Sequence, residues 1–188
     1  MKIAHVHGIF FPFHKGHLDL VLNILKKYDF LYIGIANPLR KLPANINEYP
    51  DYLKNSLLKA RLPYKNIFTY LEREQMILRS LQCFGVDLSK IKILPQFGCY
   101  EEENWKDFIP CKSNCTLVIC PNDVHHDFKI DYYKKDGWKI DILDLPRLTS
   151  GTNFHNDFPD GDWEKHLPKG SADVIKENFE KILIRRQK

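Results

Sequence analysis

The first thirty residues constrain this chain more than any other stretch. Lys2 to His7 is a short apolar run suited to a strand. It breaks at Gly8, and after the connection Leu18, Val21, Leu22, Leu25 and Tyr28 recur at three- and four-residue intervals, one face of a helix. Further strand-like runs follow at Phe30–Ala36, Ile91–Leu94, Thr116–Cys120 and Lys139–Leu143, and Met76, Ile77, Leu81 and Phe84 mark a helix over Glu72–Phe84. A last helix is predicted after the breakers Pro168 and Gly170, capped by Ser171, with Ala172, Ile175, Phe179 and Ile182 inward. Strands alternating with helices predict the α/β class: a doubly wound, five-stranded parallel sheet covered on both faces. Such sheets bind ligands at the carboxyl ends of their strands, so the loop leaving the first strand is the first place to look for a site.

At 188 residues the chain is expected to be a single domain, with an insertion at about 37–66 and a helical end at about 160–188. Its 44% apolar and 28% charged residues exclude a disordered or coiled-coil chain. No apolar run approaches the ~18 residues of a membrane span, and Met1 leads straight into a strand without a signal-peptide layout, so a soluble cytoplasmic protein is expected. The five cysteines are odd in number and irregularly spaced, which predicts reduced thiols; Cys111, Cys115 and Cys120 lack the second pair of a zinc site, and no fixed metal site is expected. The net charge of +4 is concentrated between Asn37 and Ile67, where six basic residues, among them Arg40 and Lys41, face Glu48 and Asp51. That patch attracts anions, but its aromatics are limited to Tyr49, Tyr52 and Tyr64, too few for a nucleic-acid platform.

The loop after the first strand reads Gly8-Ile9-Phe10-Phe11-Pro12-Phe13-His14-Lys15-Gly16-His17. Gly8 lets the chain turn off the sheet, Pro12 holds Phe11 extended, and Gly16 leaves room for a ligand at the helix start. The unpaired N–H groups and positive dipole end of a helix N-terminus favour phosphate. His14 and His17, three apart, can present their rings on one side of the helix entrance, with Lys15 adding a cation.

Gly-x-Phe-x-Pro-x-His-x-Gly-His resembles the signature of the nucleotidyltransferase superfamily, relatives of the class I aminoacyl-tRNA synthetases. Three further segments are similar to the archaeal-type nicotinamide-nucleotide adenylyltransferases: Asn66–Ile77, Thr149–His155, and Gly161–Pro168 with Val174–Glu177. The resemblance implies a Rossmann-like fold and transfer of a nucleoside monophosphate with release of pyrophosphate, magnesium arriving on the nucleotide. It implies His14, His17 and Lys15 as catalytic residues, and Gly8, Ile9, Phe10, Gly16, Ser150, Gly151, Thr152 and His155 at the nucleotide. It further implies Arg73 near substrate phosphate and Trp105 stacked on the acceptor's nicotinamide, although a first-turn arginine and a core tryptophan would look the same in the sequence.

Two positions depart from the family. Ile9 and His155 stand where those enzymes carry arginine, and losing one preorganised donor costs about 3–4 kcal/mol of transition-state stabilisation. Lys15, Arg147, Arg40 and Lys41 are the candidate replacements, and His155 can itself donate to phosphate. The reaction the resemblance implies is AMP transfer from ATP to nicotinamide mononucleotide, giving NAD. The alternatives are adenylyl or cytidylyl transfer to phosphopantetheine, a flavin mononucleotide or a phosphorylated alcohol, and a non-catalytic nucleotide sensor. Expected partners are ATP and a phosphorylated small-molecule acceptor, with no membrane and no nucleic acid; a homo-oligomer is compatible with the chain. His125-His126 are expected in a loop after the fourth strand rather than as a metal pair.

Overall fold

The computed structural model describes residues 1–36, 46–48, 51, 54, 55, 58, 65, 67–96, 112–121, 126–146 and 148–187. Five parallel strands, β1 (Ile3–Gly8), β2 (Phe30–Ala36), β3 (Ile91–Gln96), β4 (Cys115–Ile119) and β5 (Lys139–Ile142), form one sheet in the order β3-β2-β1-β4-β5. β1 is central, pairing with β2 from Ile3↔Phe30 to Gly8↔Ile35 and with β4 from Ile3↔Cys115 to His5↔Leu117. Strand order reverses between β1 and β4, so the loop after β1 emerges at the crevice of the doubly wound sheet that the sequence predicts.

Side-chain alternation divides the core in two. Ala4 and Val6 of β1 and Leu31, Ile33 and Ile35 of β2 pack with Leu18, Val21 and Ile24 of α1 (Lys15–Lys27) and with Met76, Ile77 and Leu81 of α2 (Tyr70–Cys83). Each such aliphatic side chain, once buried, stabilises the fold by roughly 1.5–3 kcal/mol. On the opposite face Leu117 and Ile119 of β4 pack with Tyr133 of α3 (His126–Lys135) and with Trp138. His5 and His7 point to this second face, the His5 ring tilted against Trp138 and the His7 ring tilted against Tyr133. His5 is almost fully buried, and its pKa is held down to about 4 by burial, against an upward pull from Gln96.

The C-terminal region wraps the first face through α4 (Gly151–Asp157), a 3-10 turn at Trp163–His166, α5 (Lys169–Glu177) and α6 (Phe179–Gln187). α5 approaches α2 so closely that a Cβ on Gly170 would lie 2.3 Å from the Ser80 main-chain nitrogen. Beside that contact Ser171 Oγ donates to the Phe13 carbonyl at 2.8 Å and meets Ser80 Oγ at 3.1 Å. Arg185 of α6 reaches Glu72 of α2 at 2.6 Å, joining the end of the chain to the helix behind the β1 loop.

Several sequence expectations change. The last helix is two helices separated at Asn178, whose side chain donates to the Val174 carbonyl at 2.9 Å, and the residue at its N-terminal boundary is Pro168, not Ser171. His126 opens α3, which was expected to be loop; Phe128, Ile130 and Tyr132 recur at intervals of two and conceal the helical spacing. Cys115 is buried, which pushes its thiol pKa up to about 12, while Cys83 is exposed and Cys120 half-buried. Among the described residues no helix is long and apolar enough to cross a membrane. The segment at about 37–66 falls almost wholly outside the described residues, as do Trp105, Arg40, Lys41, Arg147 and His125.

Candidate active site

The β1 loop turns through Phe10, whose φ of 53° is uncommon for a residue with a side chain. Burial of the Phe10 ring among Phe13 and His17 offsets the cost of that conformation. The loop then delivers His14 as the N-cap of α1. His17 N–H donates to His14 Nδ1, and His14 N–H donates to His17 Nδ1, both at 3.3 Å. This reciprocal arrangement is a capping box built from two imidazoles. The rings stack with centroids 3.6 Å apart and planes 18° from parallel.

A chemical consequence follows from the cap. With Nδ1 an acceptor on each ring, the neutral imidazole carries its proton on Nε2, the nitrogen that faces away from the cap. Burial, followed by the neighbouring His14, pushes the His17 pKa well below the usual imidazole range, although its ring bonds the Pro12 carbonyl. His17 is therefore neutral at physiological pH, and with Nδ1 accepting the His14 N–H its one ring N–H goes to the Pro12 carbonyl. α1 has no acid in its first turn and begins with the exposed Lys15, an unfavourable charge for a bare helix N-terminus. An anion at this end would compensate that charge.

The Ser-Gly-Thr segment meets the β1 loop directly. A Cβ on Gly151 would lie 2.9 Å from the Phe11 carbonyl oxygen, and one on Gly16 would lie 3.2 Å from the His14 ring and 3.4 Å from the Thr149 carbonyl oxygen. The space at Gly16 is thus filled by the opposing loop and the His14 ring. Ser150 is the N-cap of α4 and its Oγ both donates to Asn153 Oδ1 and accepts the Asn153 N–H, while Thr152 is exposed beside it.

Two expected ligands sit elsewhere. Arg73 is fully buried behind the β1 loop, donating from Nη1 to the Ile9 carbonyl at 2.9 Å and the Ala36 carbonyl at 2.8 Å, with its guanidinium 4.6 Å from the Phe11 ring centroid. It ties together the ends of β1 and β2 instead of reaching into the cleft. His155 is 7% exposed, and its Nε2 meets the Phe11 carbonyl at 3.1 Å. Burial brings its pKa down to about 4, so it is a neutral donor to the main chain and not a protonated phosphate ligand. Ile9, half-buried, supplies only its carbonyl to Arg73. Sequence reasoning missed Ser171, Thr149 and His166, all of which hold these loops; no local pattern marks them, because each partner is distant in sequence or across a turn.

The β1 loop and the Ser-Gly-Thr turn thus meet at the switch point of the sheet, with the His14–His17 pair and the exposed Lys15 beside them, and solved structures share this fold. The chain superposes over 99% of its length on the bifunctional NMN adenylyltransferase/ADP ribose pyrophosphatase of Francisella tularensis, with a TM-score of 0.71 and 20% identity. It spans about half of that longer protein (52%). A complex of the same bifunctional protein with AMP and manganese gives a TM-score of 0.68. No protein-family model matches the chain. In sequence it is 28% identical over 179 residues to the nicotinamide-nucleotide adenylyltransferase of Archaeoglobus fulgidus, covering 90% of this chain and 88% of the relative. It is 27% identical over 177 residues to the phosphonoformate cytidylyltransferase of Streptomyces viridochromogenes, covering 92% and 89%. The nicotinamide-nucleotide adenylyltransferase of Picrophilus torridus gives 27% over 183 residues, covering 93% and 90%. The fold is that of the solved adenylyltransferase structure, and in sequence the chain is similar to nucleotidyltransferases over nine tenths of its length. The archaeal nicotinamide-nucleotide adenylyltransferases and the phosphonoformate cytidylyltransferase are similar to the chain to nearly the same degree.

Proposed function

We propose that the protein transfers AMP from ATP to nicotinamide mononucleotide, forming NAD and pyrophosphate. The observation that carries this reading is the imidazole capping box at the N-terminus of α1, which places two stacked imidazoles at the helix end where a nucleotide's α-phosphate would sit. The similarity to archaeal adenylyltransferases over nine tenths of the chain supports the choice of acceptor.

In this mechanism the acceptor's phosphate oxygen attacks the α-phosphorus in line, that bond forms as the bond to the pyrophosphate oxygen breaks, and no covalent enzyme intermediate arises. Catalysis is positioning and charge neutralisation. His14 and His17 hold the α-phosphoryl oxygens, Lys15 offsets charge, and Thr152 with the main-chain N–H groups after Ser150 seats the β- and γ-phosphates. Magnesium enters as part of the nucleotide substrate; among the described residues no three histidine, cysteine or acidic side chains converge to hold an ion. Trp105 is assigned to the nicotinamide ring.

A second reading, cytidylyl transfer to a small phosphorylated or phosphonate acceptor, is favoured by the nearly equal similarity to the phosphonoformate enzyme. Incubating the protein with magnesium, ATP or CTP, and a panel including nicotinamide mononucleotide and phosphonoformate separates the two. NAD and pyrophosphate from the first pair support the proposal. Pyrophosphate only with CTP supports the second reading, and binding of ATP without pyrophosphate release from any acceptor overturns both.

A further inference from the structure

His166 bonds residues at both ends of α4. Its Nε2 lies 2.8 Å from Asp157 Oδ2, on the last residue of the helix, and its Nδ1 lies 3.1 Å from Thr149 Oγ1, immediately before the Ser150 cap. Asp157 also accepts from Lys165 Nζ at 2.8 Å. A seven-residue helix is too short to hold itself in water and would fray from both ends. One imidazole, itself nearly buried, bridges the two ends that would fray.

The polarity of the chain of bonds is set by charge. Lys165 and His166 hold the Asp157 carboxyl below its ordinary range, so it accepts the Nε2–H, and the tautomer with its proton on Nε2 accepts the Thr149 hydroxyl hydrogen bond through Nδ1. Thr149, two residues before α4, meets the start of α1, its carbonyl oxygen lying 3.4 Å from where a Gly16 Cβ would be, while Gly151 and His155 of α4 itself meet the Phe11 carbonyl. The Thr149 backbone is thus one of the contacts that space the Ser-Gly-Thr turn from the start of α1, and the Thr149 hydroxyl is held by His166.

We infer that His166 and Thr149, backed by Asp157, are positioning residues that set the Ser-Gly-Thr turn for the nucleoside triphosphate, independently of the acceptor. The inference rests on the proposed nucleotide site but not on the identity of the acceptor, so direct binding of Mg–ATP, measured calorimetrically, is the test. Thr149→Val removes the hydroxyl and keeps the shape, and Thr149→Ser restores the hydroxyl. The expected result is a dissociation constant for Mg–ATP raised about tenfold by Thr149→Val, returned to within twofold of the parent by Thr149→Ser, and raised no further when His166→Phe is added to Thr149→Val. Unchanged affinity for nicotinamide mononucleotide in Thr149→Val completes the expected pattern. Equal Mg–ATP affinity in the parent and Thr149→Val, or no recovery in Thr149→Ser, overturns the inference. A parent that binds Mg–ATP and makes no NAD overturns the acceptor assignment alone.

Discussion

His155 lies across from Phe11, its Nε2 3.1 Å from the Phe11 carbonyl oxygen, so this buried imidazole joins α4 to the loop after β1. The neighbouring Gly151 makes the same approach possible from the backbone side. A positive charge on His155 would have to be buried beside the positive Arg186 and Lys65, and burial with these charges is why its pKa falls to about 4.

That depression sets a pH dependence. His5 and His155 titrate near 4 in the folded chain and near 6.5 when unfolded, so between these values the unfolded state binds protons that the folded state does not. Stability is therefore highest above pH 6.5 and falls as pH drops towards 4, by about 1 kcal/mol per pH unit for each histidine. Thermal midpoints measured from pH 7.5 to 4.5 should show this decline, and His155→Gln, which keeps a donor toward Phe11, should shallow it. A flat profile would contradict the burial of both rings.

Capping and chemistry can be separated at His14. Asparagine is among the best N-caps, so His14→Asn should hold α1 with a stability change below about 1 kcal/mol while removing the Nε2–H donor. His17→Ala removes the second imidazole. Each is expected to lower kcat about 10²–10³-fold in the pyrophosphate-release assay, with an unchanged far-ultraviolet circular dichroism spectrum. Full activity in His17→Ala would place the reacting phosphate elsewhere.

Arg73 should behave as a buried clamp. Arg73→Lys keeps the charge but cannot serve the Ile9, Ala36 and Thr69 carbonyls from one planar group, and Arg73→Met leaves all three without this donor. Losses of roughly 2–4 kcal/mol in urea unfolding are expected for both, with the larger effect in Met. If Arg73→Lys kept full stability and instead weakened acceptor binding alone, the guanidinium would be a substrate ligand after all.

Gly170→Ala tests the contact of α5 on α2. The added methyl would meet the main chain of Arg79 and Ser80 at 2.3–2.7 Å, atoms that cannot swing aside as a flexible side chain can. A destabilisation of about 3 kcal/mol is expected by chemical denaturation. Because Ser171 on the same turn holds the Phe13 carbonyl, the variant should also weaken Mg–ATP binding.

The sequence alone determined those features that depend on local periodicity and spacing. Alternation of strands and helices was enough for a doubly wound sheet, since a chain with that pattern can bury its apolar faces in few other ways. The three-residue spacing of His14 and His17 at a helix entrance was enough to bring their rings together, because helix geometry is set within one turn. Only the tertiary structure decided what distant groups do. Arg73, in the first turn of α2, reads as an ordinary surface arginine until that turn is packed beneath the ends of β1 and β2, where its donors find main-chain carbonyls from residues 64 and 37 positions away. Likewise His155 donates to a carbonyl 144 residues distant, and His166 spans two ends of a helix it does not belong to. A hydrogen-bonding side chain is compatible with a ligand or with the protein's own backbone, and the choice between them is made by burial and neighbours that arise only when the loops are brought together.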